Sequence, residues 1–233
     1  MDISEKTLQL KQDFDDVYEA GKNKEWNEFW DSFQENGNRL DYRYAFYLWK
    51  RRNLKPKYDI IPTNCSYMFA NAFTLDSEND RSLKKALEDS GVVLDTSQSN
   101  NFQYMFWYSW ITEIPTIDTR STSKLDYTFY YATYLRTIEK LILKDDGSQS
   151  FLWAFEGCSR LTDIIVEGKI GQNFAINNSP LTKASIESIV NALSSASTGK
   201  TVTFKKTAKE NAFTTDEWDA LINTKPNWTF SLV

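Results

Sequence analysis

Residues that could carry catalytic or metal chemistry are scarce in this chain. Its 233 residues contain no histidine and two cysteines, Cys65 and Cys158. Without histidine there is no Ser-His or Cys-His nucleophile pair and no imidazole ligand for zinc. Two cysteines so far apart in the sequence indicate neither a disulfide framework nor a metal site. We therefore expect both thiols to be small buried side chains.

Carboxylates are the remaining groups that could do chemistry. A glycoside hydrolase needs two of them about 5–10 Å apart in a cleft, and no pair stands out from the solvated acidic runs "DDVYE", "LDSENDR" and "KDDGS". Neither "DSENDR" nor "KDDGSQS" has the spaced ligands and closing Glu of a calcium loop. The stretch "STGKT" at 197–201 lacks the first glycine of a phosphate-binding loop. We expect no catalytic residue, no metal and no cofactor.

Aromatic side chains offer a different chemistry, which is binding. Residues 102–111 read "FQYMFWYSWI", in which six of ten are aromatic. Tyr and Trp combine a large contact area and few rotatable bonds with a polar tip, a combination typical of recognition surfaces. The net charge of −5 argues against a nucleic-acid partner. No apolar run is long enough to span a membrane, and the N-terminus has no secretory signal. A protein or glycan ligand is expected.

Four segments align with one another and set the positions of these aromatic residues. They are "CSYMFANAFTL" from Cys65, "FQYMFWYSWI" from Phe102, "LDYTFYYATYL" from Leu125 and "FLWAFEGCSRL" from Phe151. The last three run on into the strand-like pieces "TEIPTID", "RTIEKLILK" and "TDIIVEGKI". A helix-like insertion, "DRSLKKALEDSG", follows the first segment. A unit of about 24 residues with a strand and a short turn has the size of a leucine-rich repeat, and such units stack into a solenoid.

Positions counted from the first residue of each segment separate a core face from an outward face. On a helical turn, positions 0, +3 and +4 share one face, and position +7 lies near it. These positions are apolar or small in all four segments, so we predict that they form the core. Positions +2, +5 and +6 face the other way. In the second and third segments they are Tyr104, Trp107, Tyr108, Tyr127, Tyr130 and Tyr131.

The outward aromatic residues are the candidate binding site. The predicted ligand-binding residues are Tyr104, Trp107, Tyr108, Trp110, Tyr127, Tyr130, Tyr131, Tyr134 and Phe73, together with Tyr47 and Trp49. The last two belong to "YRYAFYLWKRRN" at 42–53. That segment is either a capping loop or an extension of the aromatic patch.

Residues 1–57 are predicted to form an N-terminal helical segment followed by this aromatic loop. Residues 3–21 have a weak heptad pattern, which fits either a short coiled coil for self-association or a helix docked on the domain. In residues 24–35, Trp26, Phe29 and Phe33 are expected to cover the open end of the repeat stack. Residues 58–233 are the predicted repeat domain. Its repeats lie near 58–76, 92–118, 119–143 and 144–170, and its C-terminal cap is 171–233.

Two stretches carry a resemblance to a known family. The fourth segment, with "GCSRLTDIIVEG", resembles the BspA-type leucine-rich repeats of bacterial surface proteins and bacteriophages. The ending "SPLTKASIESIVNALSSASTGKTVTFKKTAKENA…KPNWTFSLV" is similar to the C-terminal cap of such proteins in phage and prophage genomes. Residues 17–39 resemble the leader that precedes these repeats, so the likeness covers roughly 17–233.

The resemblance implies an α/β repeat (α+β) fold: a short leucine-rich-repeat solenoid with a helical N-terminal cap and a helix-strand C-terminal cap. The family has no common catalytic residues to carry over. Its usual turn after the Phe is small and polar, as in "EGCSRL". The second and third segments replace that turn with "WYSW" and "YYATY".

The function expected from these observations is non-enzymatic binding. A Trp/Tyr-rich surface is expected to recognise a protein or glycan on a bacterial cell, as part of a phage tail-associated or diversified receptor-binding protein. The location would be the virion or the cell exterior. One alternative is a structural protein whose aromatic face mediates oligomerisation. The second alternative is a carboxylate-based glycoside hydrolase.

Overall fold

Helices and two small parallel sheets make up the part of the chain that the computed structural model describes, residues 59–74 and 77–233. The elements predicted for residues 1–57 lie outside the described residues. The strands are β1 (Glu113–Ile114), β2 (Ile117–Asp118), β3 (Thr137–Ile142), β4 (Asp163–Glu167), β5 (Phe174–Ile176), β6 (Lys200–Phe204) and β7 (Trp228–Leu232). The α-helices are α1 (Leu83–Ser90), α2 (Lys183–Ala192), α3 (Lys206–Ala212) and α4 (Thr215–Ile222), and a 3₁₀ helix covers Glu78–Asp80.

The first sheet forms from the strand-like pieces that follow the second, third and fourth aligned segments. Strand β3 pairs in parallel with β1 and β2 on one side and with β4 on the other. Ile138 lies opposite Ile164 and Leu141 opposite Val166, and these four side chains are buried. Neighbouring segments therefore place their strands side by side with one apolar face towards the core.

Helix α2 covers the outer edge of this sheet. The hydroxyl oxygen of Ser185 accepts a hydrogen bond from the Ile164 amide at 3.0 Å, and that of Ser188 accepts one from the Val166 amide at 2.8 Å. Edge amides left open are a template for pairing with another chain. The two serines satisfy them, so the first sheet ends here.

Strands β5, β6 and β7 form the second parallel sheet.

The four aligned segments fold into chains of tight turns and not into the helical turns on which their two faces were assigned. The first to fourth turns are residues 65–72, 102–109, 125–132 and 151–158. In each of them the amides at +3, +5 and +7 donate to the carbonyls at 0, +2 and +4, at 3.0–3.4 Å. Residues at +2 and +6 have positive φ: +57° at Tyr67, +61° at Tyr104 and +51° at Tyr108, for example. Such values belong to turns and never to an α-helix.

The turns stack on one another through backbone hydrogen bonds. Amides at even positions of one turn donate to carbonyls at odd positions of the next. Between the third and fourth turns the donors Leu125, Tyr127, Phe129 and Tyr131 make bonds of 2.7–2.9 Å. The same pattern joins the first turn to the second, and part of it, from the amides of Phe106 and Tyr108, joins the second to the third. Equivalent residues of successive turns therefore lie directly above one another.

A ladder of phenylalanine rings fills the interior of the stack. Phe69, Phe106, Phe129 and Phe155 all stand at position +4 and are 0–1% exposed. Their ring centroids are 5.6, 5.4 and 5.0 Å apart along the ladder. The other predicted core positions, 0, +3 and +7, are buried in all four turns. This part of the sequence prediction is confirmed.

A close backbone approach between Gly168, just after β4, and Leu143, just after β3, gives a first test of the packing between neighbouring segments. Gly168 has φ +92°, and a Cβ placed on it would overlap the carbonyl oxygen of Leu143. We expect Gly168→Ala to lower the free energy of unfolding by roughly 2–4 kcal/mol, because backbone strain and overpacking add. Gly199→Ala is the matched control, since Gly199 also has positive φ but has open space around it. Equal losses in urea unfolding for the two variants would contradict the close approach.

The start of α4 makes stability depend on pH. Glu217 accepts a hydrogen bond from Lys183 at 2.7 Å and completes a capping box with Thr214. These bonds lower the pKa of Glu217 from 4.5 to about 2. The carboxylate therefore contributes stability that is complete above pH 4.5 and is lost as the pH falls towards 2.

We expect Glu217→Gln to be less stable than the native chain at pH 6 and to approach it in stability near pH 2. Denaturant unfolding at pH 6, 4, 3 and 2 measures this convergence. The control is Asp216→Asn, which removes a neighbouring charge from the same helical turn. A stability difference for Glu217→Gln that stays constant over this range would rule out the proposed linkage.

Candidate functional site

The stacked turns bring tyrosine and tryptophan side chains from positions +2, +5 and +6 together. We call these residues the aromatic surface: Tyr67, Tyr104, Trp107, Tyr108, Tyr127, Tyr130, Tyr131 and Trp153. Tyr108, Tyr131 and Trp153 are 41%, 37% and 51% exposed, and the others are half-buried. The first and last residues of this surface, Tyr67 and Trp153, are 86 positions apart in the chain.

The tyrosines at +2 stack face to face along the turns. The ring centroids of Tyr67 and Tyr104 are 4.7 Å apart and those of Tyr104 and Tyr127 are 4.9 Å apart, with interplanar angles of 13° and 14°. Because each ring covers the face of the next, the faces are largely withdrawn from solvent. What remains for contact is the ring edge and the phenolic hydroxyl.

Position +6 forms a second, shorter stack. Tyr108 and Tyr131 stack with centroids 5.1 Å apart and an interplanar angle of 18°. The same position in the fourth turn is Gly157, and a Cβ there would come within 2.9 Å of the Tyr131 ring. The absence of a side chain at Gly157 thus leaves room for Tyr131 to lie over the backbone. The stack at position +6 therefore ends at the backbone of Gly157.

The rings at +5 stand between the two stacks and lock them together. Trp107 meets Tyr104 at 6.2 Å and 81°, and it meets Tyr108 at 5.1 Å and 88°. In the next turn Tyr130 contacts Tyr127 edge to face and lies 4.7 Å from Tyr131 at 52°. Edge-to-face and offset-stacked pairs are the favourable geometries for aromatic rings. The rings hold one another in place, so the aromatic surface is pre-organised.

Backbone strain accompanies this arrangement. Tyr104, Tyr108, Tyr127 and Tyr131 have φ between +51° and +61°, a region that bulky residues seldom adopt and that costs on the order of 1–3 kcal/mol per residue. The other turns have Asn71 and Gly157 at +6, and Asn and Gly tolerate positive φ better. At position +6, Tyr108 and Tyr131 therefore carry backbone strain that Asn or Gly would relieve.

The tyrosine hydroxyls remain available to a partner. Those of Tyr104, Tyr108, Tyr127, Tyr130 and Tyr131 make no hydrogen bond to any residue in 59–74 or 77–233. Loss of water around the Tyr130 hydroxyl, and after it the proximity of Tyr131 and Tyr108, raises the pKa of Tyr130. At neutral pH that hydroxyl is protonated and can donate as well as accept.

Trp110 and Tyr134, both predicted to be ligand-binding, lie in a separate group of side chains. Their rings stack at 4.8 Å, and the guanidinium carbon of Arg81 lies 4.7 and 4.8 Å from the two ring centroids. Arg160 lies 4.8 Å from the Tyr134 centroid. We call this group, completed by Glu78 and Arg136, the arginine cluster. Glu78 pairs with both Arg136 and Arg160. Cation–π contacts thus hold these two rings in place, and their role in ligand binding stays a prediction.

The prediction that Phe73 belongs to the binding surface is wrong. Its side chain is 0% exposed and packs in the apolar core. Phe73 lies one residue beyond position +7, where the chain turns inward. Tyr47 and Trp49 lie outside the described residues. The candidate list also omitted Tyr67 and Trp153, which share position +2 with Tyr104 and Tyr127. That shared position was the signal that could have found them.

A groove borders the aromatic surface beyond Trp153. Its volume is about 350 Å³, and it lies between the fourth turn and the strands β5 and β6. The apolar part of its lining includes Phe151, Leu152, Trp153 and Phe174. Polar residues of the lining are Glu156, Asn173, Thr201 and Thr203. The exposed Leu152 and Trp153 form one wall.

Comparisons with protein-family models, with curated proteins and with solved structures found no match.

The cysteines fit the expectation from the sequence. Cys65 and Cys158 are both 0% exposed. Burial raises the pKa of the Cys158 thiol, which donates a hydrogen bond to the Phe129 carbonyl at 3.2 Å. A buried thiol with a raised pKa is a poor nucleophile.

Metal-binding clusters and membrane-spanning helices are both absent from the described ranges. These ranges contain no group of three or more Cys, Asp or Glu side chains that could hold a metal ion. Within them, no helix has the length and hydropathy that a membrane crossing requires.

Proposed function

We propose that the chain is a non-enzymatic binding module that recognises a protein partner through the aromatic surface. The observation that carries the proposal is the ordered packing of eight Tyr and Trp rings from four successive turns, three of them more than a third exposed. A contiguous patch of this kind is unusual on a surface that binds nothing. Strained backbone at its centre adds support, because strain persists where function uses it.

A protein partner fits the ring geometry better than a glycan does. Sugars stack on the open face of an aromatic ring, whereas the rings at +2 and +6 cover one another's faces at 4.7–5.1 Å. The exposed ring edges, and the hydroxyls of Tyr104, Tyr108, Tyr127, Tyr130 and Tyr131 that make no hydrogen bond within the described residues, resemble the tyrosine-rich surfaces by which antibodies contact proteins. Pre-organisation lowers the entropy cost of binding, since the rings need not be ordered on contact.

The setting we propose follows the resemblance to BspA-type leucine-rich repeats of phages and bacterial surfaces. In this proposal the stacked turns and parallel strands are a short repeat solenoid. The aromatic surface varies between related proteins while the Phe ladder stays constant, and the partner is a protein on a bacterial cell. The location is a phage tail or the outside of a cell.

Site-specific photocrosslinking on intact bacteria tests this proposal. We expect a benzophenone amino acid in place of Tyr108 to crosslink to one cell-surface protein. The same label in place of Ile165, which is 55% exposed on β4 outside the aromatic surface, serves as the control and is expected to give no such product.

Three other outcomes would count against a protein partner. Equal crosslinking from both positions would mean that the contact is non-specific. Crosslinks only to a second copy of this chain would favour the assembly alternative. Cell binding that survives protease treatment of the cells, without a protein crosslink, would indicate a glycan.

A further inference from the structure

We propose that the groove beyond Trp153 is a binding site for one neutral sugar ring. The proposal concerns a second site, which shares Trp153 with the aromatic surface and is otherwise lined by residues outside it. It does not depend on what the other rings of the aromatic surface bind. It begins from the place of Trp153 in the stack. Trp153 stands at position +2 of the fourth turn and is 51% exposed. Among the described residues, its one recorded ring contact is with Tyr130, at 6.4 Å and 76°. Unlike the tyrosines at +2, it has no ring stacked on its face.

The groove has both apolar surface and polar groups, as a sugar ring has. Trp153 and the 56% exposed Leu152 offer apolar surface, and the buried ring of Phe174 lies at the floor. Glu156, Asn173 and Thr203 contribute a carboxylate, an amide and a hydroxyl around it. A pyranose has an apolar face of C–H groups and a rim of hydroxyls. Its apolar face matches the indole, and its hydroxyls match the three polar groups.

The polar groups of the lining have unused hydrogen-bonding capacity. The carboxylate of Glu156 and the hydroxyl of Thr203 make no hydrogen bond or ion pair within residues 59–74 and 77–233. Asn173 uses its carbonyl oxygen to accept from the Thr201 amide at 3.0 Å, and its NH₂ group has no partner there. An apolar peptide side chain in the groove would strip water from these groups without replacing it, which is costly. A sugar replaces those bonds.

The size of the groove limits the ligand. A volume of about 350 Å³ is at the small end of the range for ligand sites, which is roughly 300–1,000 Å³. It accommodates one sugar ring with part of a second. The carboxylate of Glu156 favours a neutral sugar, since a second negative charge beside it would be repelled.

Saturation-transfer NMR with four methyl glycosides, those of glucose, galactose, mannose and N-acetylglucosamine, tests the proposal. We expect saturation of the ring C–H protons of at least one glycoside. Trp153→Asn is expected to weaken its binding at least tenfold in a fluorescence or NMR titration. Asparagine is chosen because Trp153 has φ +55° and Asn accepts that conformation.

Two further variants make the result specific to the groove. Thr203→Val removes one hydroxyl with little change in shape and is expected to weaken glycoside binding several-fold. Trp107→Ala alters the aromatic surface and is expected to leave glycoside binding unchanged. Thr203→Val also keeps the test decisive if Trp153→Asn fails to fold.

The proposal is overturned if none of the four glycosides shows saturation transfer. It is also overturned if Thr203→Val and Trp153→Asn bind as the native chain does, or if Trp107→Ala loses binding as they do. None of these results would affect crosslinking from position 108, so failure of the sugar site and failure of the proposed function are distinguishable.

Discussion

Replacing Phe106 with alanine is expected to lower the free energy of unfolding by about 3–5 kcal/mol, the usual cost of removing a fully buried phenyl ring. Phe106 is 0% exposed and stacks on Phe69 at 5.6 Å and on Phe129 at 5.4 Å. Its loss opens a cavity between three turns at once. For a chain of this size the melting temperature should fall by roughly 10 °C. Urea unfolding and calorimetry measure both quantities.

Leu152→Ala is the control for this variant. Leu152 belongs to the fourth turn but is 56% exposed, so its truncation should change stability by no more than about 0.5 kcal/mol. A loss below about 1 kcal/mol for Phe106→Ala would contradict the phenylalanine ladder as the core of the stack.

The second large effect is expected on binding. We combine four substitutions that give the second and third turns the residues of the first: Trp107→Ala, Tyr108→Asn, Tyr130→Ala and Tyr131→Asn. Ala70 and Asn71 already occupy positions +5 and +6 of the first turn, and Asn71 has φ +53°. Once the crosslinked partner is known, its affinity should fall more than 100-fold. Two lost hot-spot residues at about 2 kcal/mol each account for that figure.

Stability should fall less in this variant than in Phe106→Ala, because Tyr108 and Tyr131 are 41% and 37% exposed and asparagine relieves strain at positive φ. The matched control is the pair Val93→Ala and Ile165→Ala, which removes exposed apolar side chains elsewhere. Binding that survives the fourfold change would refute the aromatic surface as the recognition site. Binding lost equally in the control pair would show a non-specific hydrophobic contact.

Sedimentation of the same variants separates recognition from assembly. The proposal predicts that neither the native chain nor the fourfold variant self-associates through the aromatic surface. If the native chain is a tight dimer and the fourfold variant is a monomer, the aromatic surface binds a second copy. That result would favour the structural alternative.

The core of the stacked turns could be predicted from the sequence because its spacing recurs. Positions 0, +3, +4 and +7 are apolar or small in all four segments, and all are buried. The backbone conformation could not be predicted in the same way. In the overlapping turns the positive φ recurs every four residues, at +2 and +6, which is close to the 3.6-residue period of a helix. Both conformations put the same residues inside.

A clue to the turn conformation was present in the sequence. Position +6 holds Asn71 and Gly157 in the first and fourth segments, and these residue types accept positive φ. The tyrosines at Tyr108 and Tyr131 concealed that preference. Within 80–91 the inserted helix was correctly predicted, and it is α1, Leu83–Ser90. Its N-cap, Ser82, donates to Glu113 at the start of β1.

The extent of the candidate site was harder to predict, for a physical reason. Trp110 and Tyr134 lie just after the repeated turn, so the repeat pattern does not fix their direction. Their partner, Arg81, comes from the insertion before α1, and a contact between such distant segments leaves no local signature. Trp153 was placed at +2 from the sequence, but the groove beside it depends on strands β5 and β6, which follow much later in the chain.

Hydroxyl-radical footprinting with mass spectrometry, before and after the crosslinked partner is added, tests the central claim most directly. The account predicts that Tyr108, Tyr131 and Trp153 are oxidised readily in the isolated chain, while Trp218 and Trp228, each 6% exposed, are protected. It predicts that the partner then shields Tyr108 and Tyr131 but not Ile165. Contradiction would come from Tyr108 and Tyr131 reacting as slowly as Trp228 in the isolated chain, or from their rates staying the same in the complex.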